Sequence, residues 1–552
     1  MSFIVDVEVR QSTIRLVYQS LKEDYSSDKC GQEADGGYML QLKLFNKTIT
    51  NVIERMLSRL PHDELVSRVI TLKDLLNEGH GSIEISEPPT EAQTRIIKSL
   101  VKVILHQQQL SNGTCGTEDG QDNLILSLFI ERIYCEFLPD TFPDDIQVDE
   151  TDQIHNLIRV TFQTMKNPFL ESQKCINNRY YKTSLFCCTN NVGVDKEPPI
   201  EEFDKIDLEN SNEISSVEGE TLNSFPRSKS HIDFLPISDE TLGLINVNLL
   251  PSRKFENLWE SLYFDQDIKQ VLYNYSTISL KISNFISQSN SKEDLIHNGN
   301  NKLLLVHGPP GTGKTTVCKA LCQKLSIRNI TGNENIVKLD NYNGILLEIS
   351  CSRIFSRWFG ESAKNLTNIF KDIENLLILN ESTGRFVCLL IDEVEAIAFS
   401  RDSLLSKNET TDSVRVVSTL LTLLDSLKKY NNLLVLATSN LLDSLDSAFL
   451  DRSDGIFYIG NPSRMGIKQI LLSSISELLD LNILRSNYRK VVLKNKKYNE
   501  ILDTLSEECF KKKLSGRYTK KLSLKCISEH FRGLPINLDS FLIALSHSIC
   551  QI

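Results

Sequence analysis

At 552 residues the chain is too long for a single hydrophobic core, so two to four domains are expected. Its 40% hydrophobic and 24% charged residues are those of a globular protein, and a net charge of -11 argues against general affinity for nucleic acid, whose phosphates call for a basic surface. Thirteen cysteines without C-x-x-C pairs read as reduced thiols, the acidic N-terminus (Asp6, Glu8) lacks the positive charge of a signal peptide, and no apolar run reaches the length of a membrane span. The expectation is a soluble intracellular protein that does not engage a membrane.

In chain order, Phe3-Ile4-Val5-Asp6-Val7-Glu8-Val9 partly alternates, as a half-buried strand does. From Leu40 to Leu76 apolar residues recur every three or four positions (Val52, Ile53, Met56, Leu57, Leu60), the period of a helix. Asn123 to Phe137 and Ile154 to Met165 are further apolar stretches. No catalytic pattern occurs in this region, and its histidines (His62, His80, His106, His155) stand alone. We therefore assign residues 1–194 to a mixed α/β N-terminal domain for recognising a substrate or adaptor. Residues 195–244 turn acidic, polar and proline-marked (Asp195 to Glu202, then Glu209 to Glu213), which reads as a linker.

From about Leu249 the pattern becomes regular. The segment Leu250 to Leu262 is expected to enter a helix. Strands are expected at Lys302 to His307, Ile345 to Ser350, Phe386 to Asp392 and Leu433 to Thr438. Helices are expected at Val317 to Ile327, Ala363 to Leu379, Thr411 to Lys429 and Ser463 to Leu479. Strands alternating with helices imply a parallel sheet covered on both faces, here over residues 245–461. Beyond 462 helical signals dominate, so a small helical lid is expected over 462–552.

The segment Gly308-Pro309-Pro310-Gly311-Thr312-Gly313-Lys314-Thr315-Thr316 fits G-x-x-x-x-G-K-[ST] between a strand and a helix. Such a turn presents backbone N–H groups at a positive helix end, where phosphate binds. Lys314 would reach the β- and γ-phosphates of ATP, and the Thr315 hydroxyl would ligate Mg²⁺. Asp392 and Glu393 end a hydrophobic strand, Asp392 to hold the metal shell and Glu393 to polarise the attacking water. Asn440 ends the next strand and either orients that water or simply forms a turn. Arg452, among Asp446, Asp451 and Asp454, is either a local ion-pair partner or an arginine finger offered to a neighbouring subunit.

These parts occur in the order used by AAA+ ATPases. Together with them, Leu250-Pro251, Phe255 to Asp265 (FENLWESLYFD), His307 to Thr315 with Cys318 to Leu321, Gln323 to Arg328, Phe355 to Ser362, Ile391 to Glu395, Ser413 to Val417, Phe449 to Asp454, Leu514 to Arg517 with Lys520 to Leu522, and Ile536 to Leu545 resemble the pachytene checkpoint protein two family, in a fungal form. The resemblance covers roughly residues 245–552. It implies an α/β AAA+ P-loop module with a helical lid, preceded by a separate N-terminal domain. It further implies a homohexamer whose ATP hydrolysis unfolds or disassembles HORMA-domain proteins of meiotic axes and checkpoints, with or without an adaptor. The setting would be the nucleus, on chromosomes and, as a further option, in the nucleolus. By position, Trp358 and Phe359 match the pore-loop aromatics that grip substrate, Arg517 the lid arginine at the γ-phosphate, and Arg452 the finger acting in trans.

The chain departs from the family at Ser523, where proline is usual, at Lys520, where arginine is expected, and in an Asn-rich insertion at 329–343. Without the family, Trp358 also fits a buried tryptophan. The basic stretch Arg485 to Lys525 reads as a solvated face, with a chromatin-contacting patch as the alternative. Two competing functions are a nucleic-acid-directed clamp- or helicase-loader ATPase, disfavoured by the acidic charge, and a scaffold without turnover, disfavoured by the intact Lys314, Asp392, Glu393 and Arg452.

Overall fold

The computed structural model describes residues 2–26, 32–60, 68–70, 89–110, 119–138, 180–188, 235–264, 268–288, 302–328, 342–351, 362–381, 385–399, 411–485 and 496–552. The stretch Ile154 to Met165 and the acidic segment 195–230 lie outside these residues, as do Trp358 and Phe359. The chain divides into two compact units, the first spanning residues 1–187.

The first unit contains β1 (Ser2–Val9), α1 (Gln11–Ser26), α2 (Gln32–Ser58), β2 (Arg68–Ile70), α3 (Glu91–Leu110), α4 (Asp119–Phe129), β3 (Ile130–Leu138) and β4 (Tyr180–Phe186). Its sheet has the order β2-β3-β1-β4, with β1 antiparallel to β3 and parallel to β4. Alternation along β1 sends Phe3, Val5, Val7 and Val9 into one core with Phe45, Ile49, Val52 and Ile53 of α2. Phe45 meets Phe129 edge-on at 5.2 Å. The helical period read from Leu40 is real as far as Ser58. The apolar stretch 123–137 proves to hold two elements, changing from helix to strand at Ile130.

The second unit begins earlier than the sequence suggests. Leu235 is buried and Ile237, Leu242 and Leu244 pack beside it, so residues 235–244 belong to the core and not to a linker. There follow α5 (Asp239–Leu242), β5 (Ile245–Leu250), α6 (Ile268–Gln288), β6 (Leu303–His307), α7 (Lys314–Arg328), β7 (Gly344–Ser350), α8 (Ser362–Glu381), β8 (Phe386–Asp392), α9 (Thr411–Leu427), β9 (Leu433–Ser439), α10 (Ser447–Leu450) and β10 (Gly455–Tyr458). The expected helix at Leu250 is absent. Leu250 ends a strand, residues 251–264 hold one short 3₁₀ helix (Arg253–Phe255) among turns, and the next α-helix is Ile268–Gln288.

The sheet order is β10-β6-β9-β8-β7-β5, parallel throughout except for the antiparallel edge strand β5. Both faces are covered, which explains the unbroken apolar run of β8. Val387, Leu389 and Ile391 face the core with Ile369, Phe370 and Leu420, while Cys388 and Leu390 face Val317, Leu321 and Leu325 of α7. The lid packs α11 (Arg464–Asp480), α12 (Lys496–Lys511), α13 (Gly516–His530) and α14 (Leu538–Gln551) around Ile467, Leu471, Leu522 and Phe541, with β11 (Leu484–Arg485) beside β12 (Ile536–Asn537). Every described cysteine is a free thiol. Among the described residues no helix is long and apolar enough to cross a membrane.

Candidate nucleotide site

The sheet order decides which strand ends meet. β9 lies between β6 and β8, so the loop after β6, the acids after β8 and Asn440 after β9 converge at one carboxyl edge, where open α/β sheets bind ligands. The loop itself tolerates only glycine at key points. A Cβ on Gly308 would sit 2.0 Å from the carbonyl oxygen of Ile459, and Gly311 has φ +79°. Gly308 N–H donates to the Ser439 carbonyl at 3.2 Å, which ties the loop to β9.

Lys314 opens α7 and is buried. Its Nζ donates to the carbonyl oxygens of Gly308 and Pro309 and to Asn440 Oδ1, each at 2.8 Å. Burial lowers its pKa, opposed by the charges of Glu395, Asp392 and Glu393, while Arg517 pushes it further down. Thr315 Oγ1 donates to Asp392 Oδ1 at 2.7 Å, and the Thr438 hydroxyl donates to the same oxygen. Among the described residues no group of three or more His, Cys, Asp or Glu could hold a metal ion by itself, and the Thr315 hydroxyl with the Asp392 carboxylate would supply only part of a coordination sphere. Its hard oxygens fit Mg²⁺, which keeps waters and shares phosphate oxygens instead of sitting in an all-protein cage.

Glu393 follows with φ 56° and ψ 50°, a left-handed conformation that costs a non-glycine residue about 1 kcal/mol or more. Its N–H donates to Thr438 Oγ1 at 3.1 Å, so one buried hydroxyl links Asp392 to the backbone of Glu393. The Glu393 side chain is exposed at the site. Asn440 is held by Glu395, which the sequence places in the segment Ile391 to Glu395 but gives no role. Glu395 Oε1 accepts from Asn440 N–H at 3.1 Å and from Nδ2 at 2.8 Å, while its Oε2 is buried without a hydrogen-bond partner. Thr438 was missed as well. The only signals were an acid two places beyond Glu393 and a polar residue ending an apolar strand.

The lid closes one side of the loop. Ser515 caps α13 through Tyr518 N–H, and Arg517 N–H donates to the Gly311 carbonyl at 2.9 Å. The exposed Arg517 side chain therefore springs from the turn that touches the phosphate loop. Leu262, 3.5 Å from a Cβ built on Gly313, flanks the loop from the turns before α6.

Arg452 is elsewhere. It precedes β10, at the amino edge of the sheet, while the loop follows the parallel neighbour β6 at the carboxyl edge. Its Nε and Nη2 grip Asp425 at 3.1 and 2.7 Å, and Nη1 donates to the Ala448 carbonyl at 2.9 Å. That fork holds the Asp425 carboxyl below its ordinary pKa. A pocket lined by Lys302, Leu427, Lys428, Tyr430 and Arg452 opens at this edge, away from the phosphate loop. In the basic stretch, Lys511 pairs with Glu508 at 2.8 Å and Lys525 lies 3.7 Å from Glu529, both on the lid surface.

Residues 304–461 match the family described as "ATPase family associated with various cellular activities (AAA)". The chain is 46% identical to pachytene checkpoint protein 2 of Saccharomyces cerevisiae over 570 residues, covering 99% of this chain and 98% of that protein. It is 34% identical to the human homolog, over 57% of this chain and 71% of that one. The solved structure of C. elegans PCH-2 has a similar fold, with a TM-score of 0.54 at 19% identity, covering 100% of this chain and 99% of that one.

Proposed function

Because the chain belongs to the pachytene checkpoint protein 2 family and is an AAA ATPase, we propose that it works as a homohexamer that spends ATP hydrolysis on opening HORMA-domain proteins of meiotic chromosomes and checkpoint complexes. One observation carries the assembly: the loop and the arginine stand at opposite edges of one sheet. The four residues of β10 put about 13 Å of strand between them at ~3.3 Å per residue. Arg452 cannot serve its own loop across that span. That separation supports a role for Arg452 at the loop of an adjacent copy, after exchanging Asp425 for phosphate.

In this reading the carbonyl-bound Nζ of Lys314 turns to the phosphates, and the N–H groups of the loop hold them. Thr315 and Asp392 would hold Mg²⁺, which when bound offsets the charge on the phosphate oxygens. Glu393, exposed and pinned through its N–H, takes the proton of the attacking water. Asn440 orients that water, and Arg517 from the lid and Arg452 from the next copy meet the charge developing on the γ-phosphate. Trp358 and Phe359 are the proposed substrate grip. The substrate class is supported by the family membership and by the residues that carry the resemblance, and a nuclear, chromosomal setting goes with it.

The deciding assay is ATP turnover by the purified full chain, with Glu393→Gln as the inactive reference. A closed HORMA-domain protein, with or without an adaptor, is expected to raise turnover, while duplex DNA leaves it unchanged. Stimulation by DNA alone would overturn the reading in favour of a nucleic-acid-directed ATPase.

A further inference from the structure

Asn440 sits between a cation that can only donate and a carboxylate that can only accept. Lys314 Nζ reaches Asn440 Oδ1 at 2.8 Å, and Asn440 Nδ2 reaches Glu395 Oε1 at 2.8 Å. This sandwich settles which way the amide faces, a choice that an isolated asparagine leaves open. We propose that Glu395 is a positioning residue for hydrolysis, clamping Asn440 so that its amide oxygen, and not its NH₂ group, is presented to the reacting water.

The clamp has two points on one oxygen, since the backbone N–H of Asn440 also donates to Glu395 Oε1 at 3.1 Å. Side chain and main chain are thereby fixed together, and an amide flip breaks a charge-assisted bond. When phosphate draws away the Lys314 ammonium, Asn440 Oδ1 is released while Nδ2 stays held. What the amide then offers is a free acceptor aimed into the site beside Glu393. It takes one O–H of the water while Glu393 removes the other proton. Glu395 touches neither nucleotide nor water in this scheme and acts on the reaction through Asn440.

The inference rests on the ATPase chemistry and not on the identity of the protein substrate, so basal ATP turnover of the full chain tests it. Glu395→Ala is expected to lower kcat about 10- to 100-fold, with ADP affinity by calorimetry changed less than about threefold. The double variant Glu395→Ala with Asn440→Ala is expected to be no slower than Asn440→Ala alone, because the one acts through the other. The rescue is more selective. Asn440→Asp sets two carboxylates against each other and is expected to be slow; adding Glu395→Gln removes that repulsion while its amide oxygen still accepts the backbone N–H of residue 440, and should recover at least about threefold of the loss. Wild-type kcat in Glu395→Ala, losses that multiply in the double alanine variant, or no recovery in the charge-swapped pair would each overturn the proposal. Should Glu395→Ala fail to fold, the Asn440→Asp rescue decides alone.

Discussion

Lys314 spends its three donors on two carbonyl oxygens and on Asn440, so it reaches a phosphate only by exchanging bonds it already has. A second buried lysine, at the other edge of the sheet, has no phosphate to turn to. Lys302 Nζ donates to the carbonyl oxygens of Tyr430 and Asn431 at 3.0 and 2.9 Å, and burial pulls its pKa from the ordinary 10.5 to about 7. Between those two values the folded chain binds fewer protons at this site than the unfolded chain. Stability from this group therefore rises with pH through that window, and the penalty is fullest below about pH 7. Lys302→Met loses two hydrogen bonds and the penalty together. It is expected to be less stable than wild type by about 1–3 kcal/mol near pH 9.5, with the gap narrowing toward pH 6.5. Urea titrations across that range check it; a gap that does not change with pH would show that the buried ammonium is not penalised.

Elements carry the next layer of argument. α7 and β8 were readable because each has one job, burying apolar residues in a local pattern. α6 was not, because it is apolar on two sides. Leu272, Tyr273 and Leu280 enter the core, while Val271, Tyr275, Ile278, Ile282 and Phe285 form an exposed row spaced four, three, four and three residues apart. That spacing is the seam of a helix with a partner. The row adjoins the Arg452 segment, since Tyr275 Oη donates to the Asp454 carbonyl at 3.1 Å and the Tyr275 ring meets Phe457 at 6.0 Å. In the proposed assembly this row would meet a second copy of the chain, beside the segment that carries Arg452. Ile278→Glu, at a site 53% exposed, is expected to leave the fold's melting temperature within a few degrees while weakening self-association at least about tenfold. Sedimentation against concentration measures this, and unchanged assembly would remove α6 from the interface.

For the whole molecule, the proposed assembly would divide the labour between copies, since loop and arginine stand at opposite edges of the sheet. Lys314→Ala supplies Arg452 but no phosphate grip, and Arg452→Ala supplies the grip but no finger. Each alone is expected to be nearly inactive. Co-assembled in equal amounts, about one site in four pairs an intact loop with an intact arginine, so turnover should return to at most about a quarter of wild type. Mixed assemblies that stay inactive would mean that Arg452 only braces Asp425 and Ala448.

Parts whose physics is local were legible before any fold was known. The strand–loop–helix around Gly308 to Thr316, the apolar runs of β8 and β9 and the acids ending β8 are set by neighbours within a few residues, and each sits where its pattern put it. What tertiary structure alone decided are the joins between them. Lys314 meets Asn440 across 126 residues, Thr315 meets Asp392 across 77, and Glu395 meets Asn440 across 45. The antiparallel edge strand β5, the packing of residues 235–244 and the lid turn at Gly311 are of the same kind. No local spacing encodes which strand lies between which. Only the order β6-β9-β8, imposed by burying both faces of the sheet, brings a lysine, an amide and a second carboxylate into one line.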